Sequence, residues 1–394
     1  MNVKYFLVGL LCTLSIFVIL VYRTIVPFRI RGVFLIFLSF SISYMATPFV
    51  CTIAQKLNII DHPNEQKIHK KPTPLLGGIS IYLAFGITTI STLWYSSELK
   101  GVVYAATLIF FLGLLDDIVK LSSIFRLFVQ LLAVFILFYY GMTIDSIPDI
   151  TRYGILEKIV TVVWVVGITN AVNFLDGLDG LCVGFGAIAS LFFGVIAFLT
   201  QQYFLMFLAF SLCGSCLGFL PWNFRHRESA RIFMGDAGSL FIGFTLASFA
   251  IMGDWAENKT VALAVPVLIL LLPIFDTTMT TFFRIKDETV KTIKEWLDYV
   301  GKDHLHHRLY AVGIGKENAV WTMYLFTILL GFSAIIIRTG GPLEAYLALM
   351  QAFVVLIIFT AIIVIAKKNY DTIAHTSGKS TVLLDEYEDI YKED

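Results

Sequence analysis

The sequence predicts an all-α polytopic membrane protein of about 11–12 transmembrane helices, and three observations predict it. The 394 residues are 58% hydrophobic and only 15% charged, where an ordinary soluble domain is about 25% charged. The apolar residues fall in continuous runs of roughly 20, the length that spans a bilayer core, without the alternation of membrane strands. The Lys and Arg residues are shared unequally between the loops that separate these runs. This composition excludes a soluble globular enzyme, a disordered chain and a coiled coil. With 29 basic and 29 acidic residues, no global positive field exists to bind nucleic acid.

Twelve candidate spans run over 5–22, 33–54, 76–96, 101–115, 124–140, 157–172, 181–200, 203–221, 237–253, 260–283, 318–337 and 344–366. With a cytoplasmic N-terminus and alternating spans, 21 of the 29 Lys and Arg lie at Lys4, in loops 55–75, 116–126, 173–180, 222–236 and 284–317, and in the tail 367–394. The positive-inside bias supports that orientation. Arg23, Arg29 and Arg31 run against it. Residues 1–32 are read as an extra N-terminal anchor helix and linker. A signal peptide is the rival, but no small-residue cleavage site comes before the bulky VYRTIVPFRIRG. Residues 33–366 form the transmembrane domain, and 367–394, ending in DEYEDIYKED, a solvated cytoplasmic tail. Cys213 and Cys216 form a CxxC inside a uniformly apolar segment and are read as helix-packing residues, not a redox or metal pair.

The chemistry collects on the cytoplasmic side. All seven His fall there, as do Asp116, Asp117, Asp176, Asp179, Asp236 and Asp276, carboxylates at or inside the ends of apolar helices. Ionisable groups at that depth are costly, so each is a functional candidate. In FLGLLDDIVKLSSIFR, Asp116 and Asp117 close a span and point about 100° apart. One can face a metal while the other meets a second ligand; a solvated helix end is the plainer alternative. In NAVNFLDGLDGL, Asn170 and Asn173 are spaced i, i+3, Asp176 and Asp179 likewise, and Gly177 and Gly180 let a ligand approach. Amide and carboxylate oxygens together suit a hard cation such as Mg2+, against the alternative of an Asx-rich turn.

RIFMGDAGSLFIGF puts Gly235, Asp236, Gly238 and Ser239 at a helix start, a natural anion site. Asp236 there favours a cation or caps the helix. In DHLHHRL, from Asp303 to Leu309, adjacent His306 and His307 are awkward for one tetrahedral zinc, and hydrogen bonding to sugar hydroxyls and phosphate fits better. DHPNEQKIHKKPTPLLGG carries Lys67, Lys70 and Lys71, read as phosphate contacts or as an anionic-lipid patch. Asp276, in PIFDTTM, lies about two turns inside its span. It is expected to orient the cluster through Arg284 or a neighbouring helix, or to clip helices together, in preference to ligating a metal.

In chain order, DHPNEQKIHKKPTPLLGG, the Asp116–Asp117 pair, NAVNFLDGLDGL, FMGDAGS and HLHHRL resemble the polyprenyl-phosphate N-acetylhexosamine-1-phosphate transferases of the glycosyltransferase family 4 type, over roughly residues 33–366. DHPN, FMGDAGS and HLHHRL look like the WecA/TagO-like branch, which initiates O-antigen, common-antigen, teichoic acid or exopolysaccharide synthesis. The resemblance implies transfer of N-acetylhexosamine-1-phosphate, GlcNAc-1-phosphate first among the candidates, from a UDP-sugar to undecaprenyl phosphate. The products are undecaprenyl-diphospho-sugar and UMP, and the cofactor is Mg2+, with Mn2+ as a substitute. By position it makes Asp116 and Asp117 the catalytic acidic pair, Asn173 and Asp236 metal-site residues, and Asp179 a uridine contact. Arg126, His306 and Arg308 are expected on phosphate or sugar, and Lys71 beside the active site. Asn170, Asp176, His304 and His307 complete the expected substrate-binding set. The implied partners are UDP-N-acetylhexosamine, undecaprenyl phosphate and membrane lipid, without nucleic acid; a homodimer is compatible. The implied location is the bacterial inner (plasma) membrane, multi-pass. The extra N-terminal span and the insert Lys286–Lys302 depart from the family pattern and leave the sugar open.

Electrostatics narrows the mechanism. A lipid phosphate monoester, with a second pKa of about 6, is mostly dianionic at neutral pH, so a general base adds little. The obstacle is its approach to a diphosphate, since two unit charges 4 Å apart repel by about 4 kcal/mol at an effective dielectric of 20. Mg2+ with Arg126, Arg308 and a loop Lys offsets such terms. Direct attack on the β-phosphorus is therefore preferred to a covalent Asp117 intermediate. A secondary transporter would place interrupted helices at the midplane of both halves, whereas these motifs gather at one face.

Overall fold

The computed structural model describes residues 31–63, 71–92, 96–145, 154–292 and 303–377, the last stretch as backbone alone beyond Ile365, together with Gly9, Glu295, Tyr299 and Gly301. The expected anchor helix at 5–22 (Gly9 aside), Lys67 and Lys70, and the tail beyond Ser377 lie outside these residues.

The first long helix, α1 (Arg31–Lys56), leads into a short antiparallel hairpin of β1 (Ile60–Asp61) and β2 (Thr73–Pro74), with Ile60 opposite Pro74. Then come α2 (Gly78–Ser91), α3 (Ser97–Val119), α4 (Ser123–Tyr139), α5 (Ile155–Phe174), α6 (Leu181–Leu199), α7 (Tyr203–Asn223) and α8 (Gly235–Met252). The chain continues through α9 (Lys259–Ile269), α10 (Leu271–Lys286), the short α11 (Leu305–Ala311), α12 (Lys316–Ile337) and α13 (Pro342–Ser377). Among the described residues, eight of these helices are long and apolar enough to cross a membrane, α9 and α10 make a ninth as a bent pair, and α2 and α4 are shorter apolar helices. These eleven segments follow the order of the predicted spans from 33–54 onward.

One predicted span is corrected. The run 260–283 reads as a single helix, but the structure bends it by 75° between α9 and α10. Pro273 explains the break: it has no N–H for the Ile269 carbonyl, and its ring crowds that oxygen. The bend aims α10, with Asp276 and Arg284, along its own course.

The most enclosed spans are α6, α7 and α8. Helix α1 packs on α7, while α3 and α5 flank α8. Gly214 and Gly218, one turn apart on α7, lie directly beneath the Ile36 and Phe40 carbonyls of α1, where a Cβ has no room. That is the small-residue spacing by which membrane helices approach closely. Large apolar side chains such as Phe37, Phe135, Ile336 and Ile358 point outward, as a lipid-facing surface requires.

The loops sort by end. Pro74 meets Phe233, and His226 meets Glu317, at the end that carries the polar motifs. Gln202 and Asp254 clasp each other, and Lys259 donates to the Asp145 carbonyl, at the other end. The motifs expected on one face are on one face.

Candidate active site

The site is built where α3 ends against the start of α8. Gly77 and Gly78 donate to the carbonyls of Phe233 and Met234 at 2.9 and 2.8 Å, and Phe233 donates to Pro74 at 2.8 Å. The PTPLLGG stretch thereby holds FMGDAGS in place. The chain then turns into α8 through Gly235 at φ +74°, with the Asp117 carboxylate where a side chain would go. Only glycine fits both conditions.

Asp117 is aimed at the free amides of that helix start. Its Oδ1 accepts from Asp236 N at 2.8 Å and its Oδ2 from Ala237 N at 3.1 Å. This corrects one expectation. The helix start does bind an anion, as its dipole demands, but the anion is the protein's own Asp117, so these amides are not free for a substrate phosphate. Asp116, the next residue, points elsewhere: it accepts from Leu121 N at 2.5 Å and from Arg126 Nη1 at 3.2 Å, and its carboxyl stands against that of Asp236.

From α5, Asn173 Nδ2 donates to Asp236 Oδ1 and to Ser239 Oγ, both at 2.8 Å, so its amide oxygen is the free end. The following segment 175–180 is a turn, not a helix face. In it the carboxylate of Asp176 receives no hydrogen bond among the described residues and faces the carboxylates of Asp236, Asp117 and Asp179. Burial, then those three charges, push its pKa well above the usual carboxylate range. Asp179 turns aside and accepts from Ala230 N at 3.1 Å. Asn170 stands apart as well: it exchanges hydrogen bonds with Gln130 of α4 at 2.9 and 3.3 Å. Residues three apart diverge by about 60° around a helix, enough to send Asn170 to α4 and Asn173 to α8.

The His segment covers this turn. His306 is fully buried over Gly177, where a Cβ has no room beside its Nε2, and among the described residues neither ring nitrogen has a partner. Burial, with His307 and His304 nearby, holds its pKa well below 6.5. His304 stacks on His306 at a centroid distance of 5.9 Å and meets Phe174 at a tilt, at 5.3 Å, and His307 lies against His306 at 4.2 Å. Asp276 does not reach Arg284, the partner named for it from sequence. It accepts from His304 Nδ1 at 2.9 Å and from Leu305 N at 2.6 Å. Arg284 instead grips Asp303 with two bonds of 2.7 and 2.8 Å. Burial works to raise the Asp303 pKa, but Arg284 outweighs it and holds it below the usual range. Arg308 Nε donates to the Asp303 carbonyl, and its guanidinium lies over Phe283. Lys71 is exposed, two residues before β2.

Two residues were missed. Lys120, just past α3, acts electrostatically on Asp116, Asp117 and Asp236; its signal was its place in DDIVK. Buried Asn223 accepts from Gly180 N at 2.8 Å and donates to Ile232 O at 3.1 Å, tying the Asp-rich turn to the FMGD loop. Its signal was an amide at the end of an apolar run.

The oxygen donors of Asn173, Asp176 and Asp236, with an undonated carboxylate among them, fit a hard cation. Among the described residues no three His, Cys, Asp or Glu side chains already stand in ligating geometry. That agrees with the habit of Mg2+, which takes one or two carboxylates and completes its shell with water and substrate phosphate.

Residues 99–254, from α3 to just past α8, match the family model described as glycosyl transferase family 4. A probable undecaprenyl-phosphate N-acetylglucosaminyl 1-phosphate transferase of Bacillus subtilis is 33% identical over 323 residues, covering 80% of this chain and 87% of that protein. A decaprenyl-phosphate N-acetylglucosaminephosphotransferase of Mycolicibacterium smegmatis is 32% identical, covering 82% and 86%. A phospho-N-acetylmuramoyl-pentapeptide-transferase of Enterococcus hirae is 33% identical over 46% of this chain and 62% of its own length. The chain therefore belongs to glycosyl transferase family 4, as a multi-pass membrane transferase. Within that family it stands with the polyprenyl-phosphate N-acetylhexosamine-1-phosphate transferases, in the WecA/TagO-like branch.

Proposed function

We propose that the protein transfers GlcNAc-1-phosphate from UDP-GlcNAc to undecaprenyl phosphate at the cytoplasmic face of the bacterial inner membrane, releasing UMP and starting a cell-envelope polysaccharide. The observation that carries this reading is the convergence of Asp116, Asp117, Asn173, Asp176 and Asp236 at the polar end of a membrane-spanning bundle. A lipid phosphate and a soluble nucleotide meet only at such an interface. The relatives named for N-acetylglucosaminyl 1-phosphate transfer cover four fifths of the chain and support GlcNAc as the sugar.

Asn173 and Asp236, with Asp176 facing them, are the residues to hold Mg2+, which when bound neutralises diphosphate charge and orients it. Arg126 and Lys120 border the carboxylates and offset the repulsion between donor and acceptor. An oxygen of the lipid phosphate forms a bond to the β-phosphorus. The bond from that phosphorus to the bridging oxygen breaks, and the electron pair leaves with UMP. Both oxygens of Asp117 accept amide hydrogens, which lowers their nucleophilicity and supports direct attack over an aspartyl-phosphate.

The test is purified protein with undecaprenyl phosphate and a panel of UDP-sugars. UMP and a lipid-soluble sugar product are expected together, fastest with UDP-GlcNAc. UMP without a lipid product would make the protein a hydrolase, and neither from any sugar would end the reading. Direct attack predicts inversion at a chiral β-phosphorus; retention would restore the covalent path.

A further inference from the structure

The geometry points to Asp276 as a positioning residue that fixes the His304 ring in one tautomer, with Nδ1–H held by the protein and the Nε2 lone pair left to accept a hydrogen bond from substrate. The inference rests on the function proposed above. It adds a role for a carboxylate that neither the cation site nor the transfer step uses.

The α9–α10 bend brings Asp276 under the start of α11. Asp276 is 3% exposed and His304 6% exposed, so their contact is sheltered from water. Both carboxylate oxygens are committed, Oδ2 to His304 Nδ1 and Oδ1 to Leu305 N. An ionised carboxylate only accepts, so the ring hydrogen of a neutral His304 sits on Nδ1 and the lone pair on Nε2. The stack on His306 and the tilted contact with Phe174 restrain the ring plane. Phe174 directly follows Asn173, which places His304 beside the acidic cluster. The two imidazoles differ in access: among the described residues His306 is wholly buried with both nitrogens unpartnered, whereas His304 keeps 6% exposure and its Nε2 has no partner. The group it suits is a neutral O–H or N–H donor on the nucleotide sugar.

Asp276→Asn separates this role from a plain helix clip. The amide oxygen still accepts from Leu305 N, so the cap survives. The amide N–H2, however, faces Nδ1 and makes it an acceptor, which moves the ring hydrogen to Nε2 and turns an outward acceptor into a donor. The folded variant should lose about 10²- to 10⁴-fold in kcat, with a much smaller change in KM for the UDP-sugar. Nitrogen NMR of histidine-labelled protein in lipid nanodiscs reads the tautomer directly, and the His304 signal is the one that His304→Gln removes. The expected result is Nδ1–H in the native protein and Nε2–H in Asp276→Asn. A native Nε2–H ring (neutral or imidazolium), an unchanged tautomer in the variant, or wild-type turnover overturns the inference. If the variant does not fold, the native tautomer decides alone. Failure of the native protein to release UMP from any UDP-sugar would sink the proposed function, while the tautomer reading would still judge Asp276.

Discussion

The acidic crossing of α3, α5 and α8 and the His-bearing clasp of α10 and α11 use similar residues to opposite ends. In the clasp every acid has its own donor: Asp303 has Arg284, and Asp276 has His304 and Leu305 N. In the crossing, Asp116, Asp117, Asp176 and Asp236 gather beside Arg126 and Lys120, and among the described residues Asp176 has no hydrogen-bond donor. The clasp is electrically complete as a protein structure. The crossing is not, and buried like charges are relieved by a cation or a proton. A region whose acids meet the protein's own donors is thus set beside one whose clustered carboxylates suit a bound cation.

The largest effect should come from removing charge at the centre of the crossing. Asp236→Asn is expected to abolish turnover, a loss of about 10³-fold or more for an electrostatic contact in the transition state. Mg2+ should raise the melting temperature of the native protein but not of the variant, since a ligand stabilises the state that binds it. Near-normal activity of Asp236→Asn at saturating Mg2+ would erase the contrast between the two regions. Asp116→Asn and Asp117→Asn come next. Each should lower turnover by orders of magnitude while leaving the fold intact, because Asn at 117 keeps one of the two acceptors for α8 and loses a single hydrogen bond, about 1 kcal/mol. Release of UMP by both at the native rate would reduce the pair to a helix end.

The crossing was largely legible in the sequence and the clasp only in part. Continuous apolar runs located the spans, and loop charge placed Asp116, Asp117, Asn173, Asp176 and Asp236 at one end. The i, i+3 spacing put Asn170 and Asn173 on one helix face, and they still part company because a 60° divergence is enough to reach different helices. The capping of α8 by Asp117 joins residues 119 apart, and the Asp276–His304 pair joins residues 28 apart. Periodicity within one segment carries no information on such pairings. The α9–α10 bend did leave a signal, Pro273, which unbroken hydropathy concealed.

The clasp has its own weakness, at His306. Burial keeps this ring neutral when folded, with a pKa well below 6.5. The unfolded chain takes up a proton below about pH 6.5 and the folded one does not. The contribution is therefore intact above that pH and falls as the pH drops toward the folded value, by about 1.4 kcal/mol per pH unit. The native melting temperature should decline between pH 6.5 and 5.5 more steeply than that of His306→Asn. Equal slopes would show that the ring is not held neutral by its burial over Gly177.

The smallest effect separates Asn170 from Asn173, two amides one turn apart. Asn170 gives its Nδ2 to Gln130 Oε1 at 2.9 Å and to the Val166 carbonyl at 2.7 Å, and its Oδ1 receives Gln130 Nε2 at 3.3 Å. Gln130 is 2% exposed and has this amide as its side-chain partner. Asn170 is thus spent within the bundle, whereas Asn173 keeps its oxygen toward the acidic cluster. Asn170→Ala should cost about 1 kcal/mol of stability, at the modest end for a hydrogen bond between membrane helices. The double variant with Gln130→Leu should recover part of it, because two apolar partners leave nothing unsatisfied. Turnover should stay within about threefold, under 1 kcal/mol of barrier, with KM for UDP-GlcNAc unchanged, while Asn173→Ala loses activity with Asp236→Asn. A tenfold rise in that KM for Asn170→Ala would return Asn170 to the substrate-binding set and extend the crossing one turn deeper into α5.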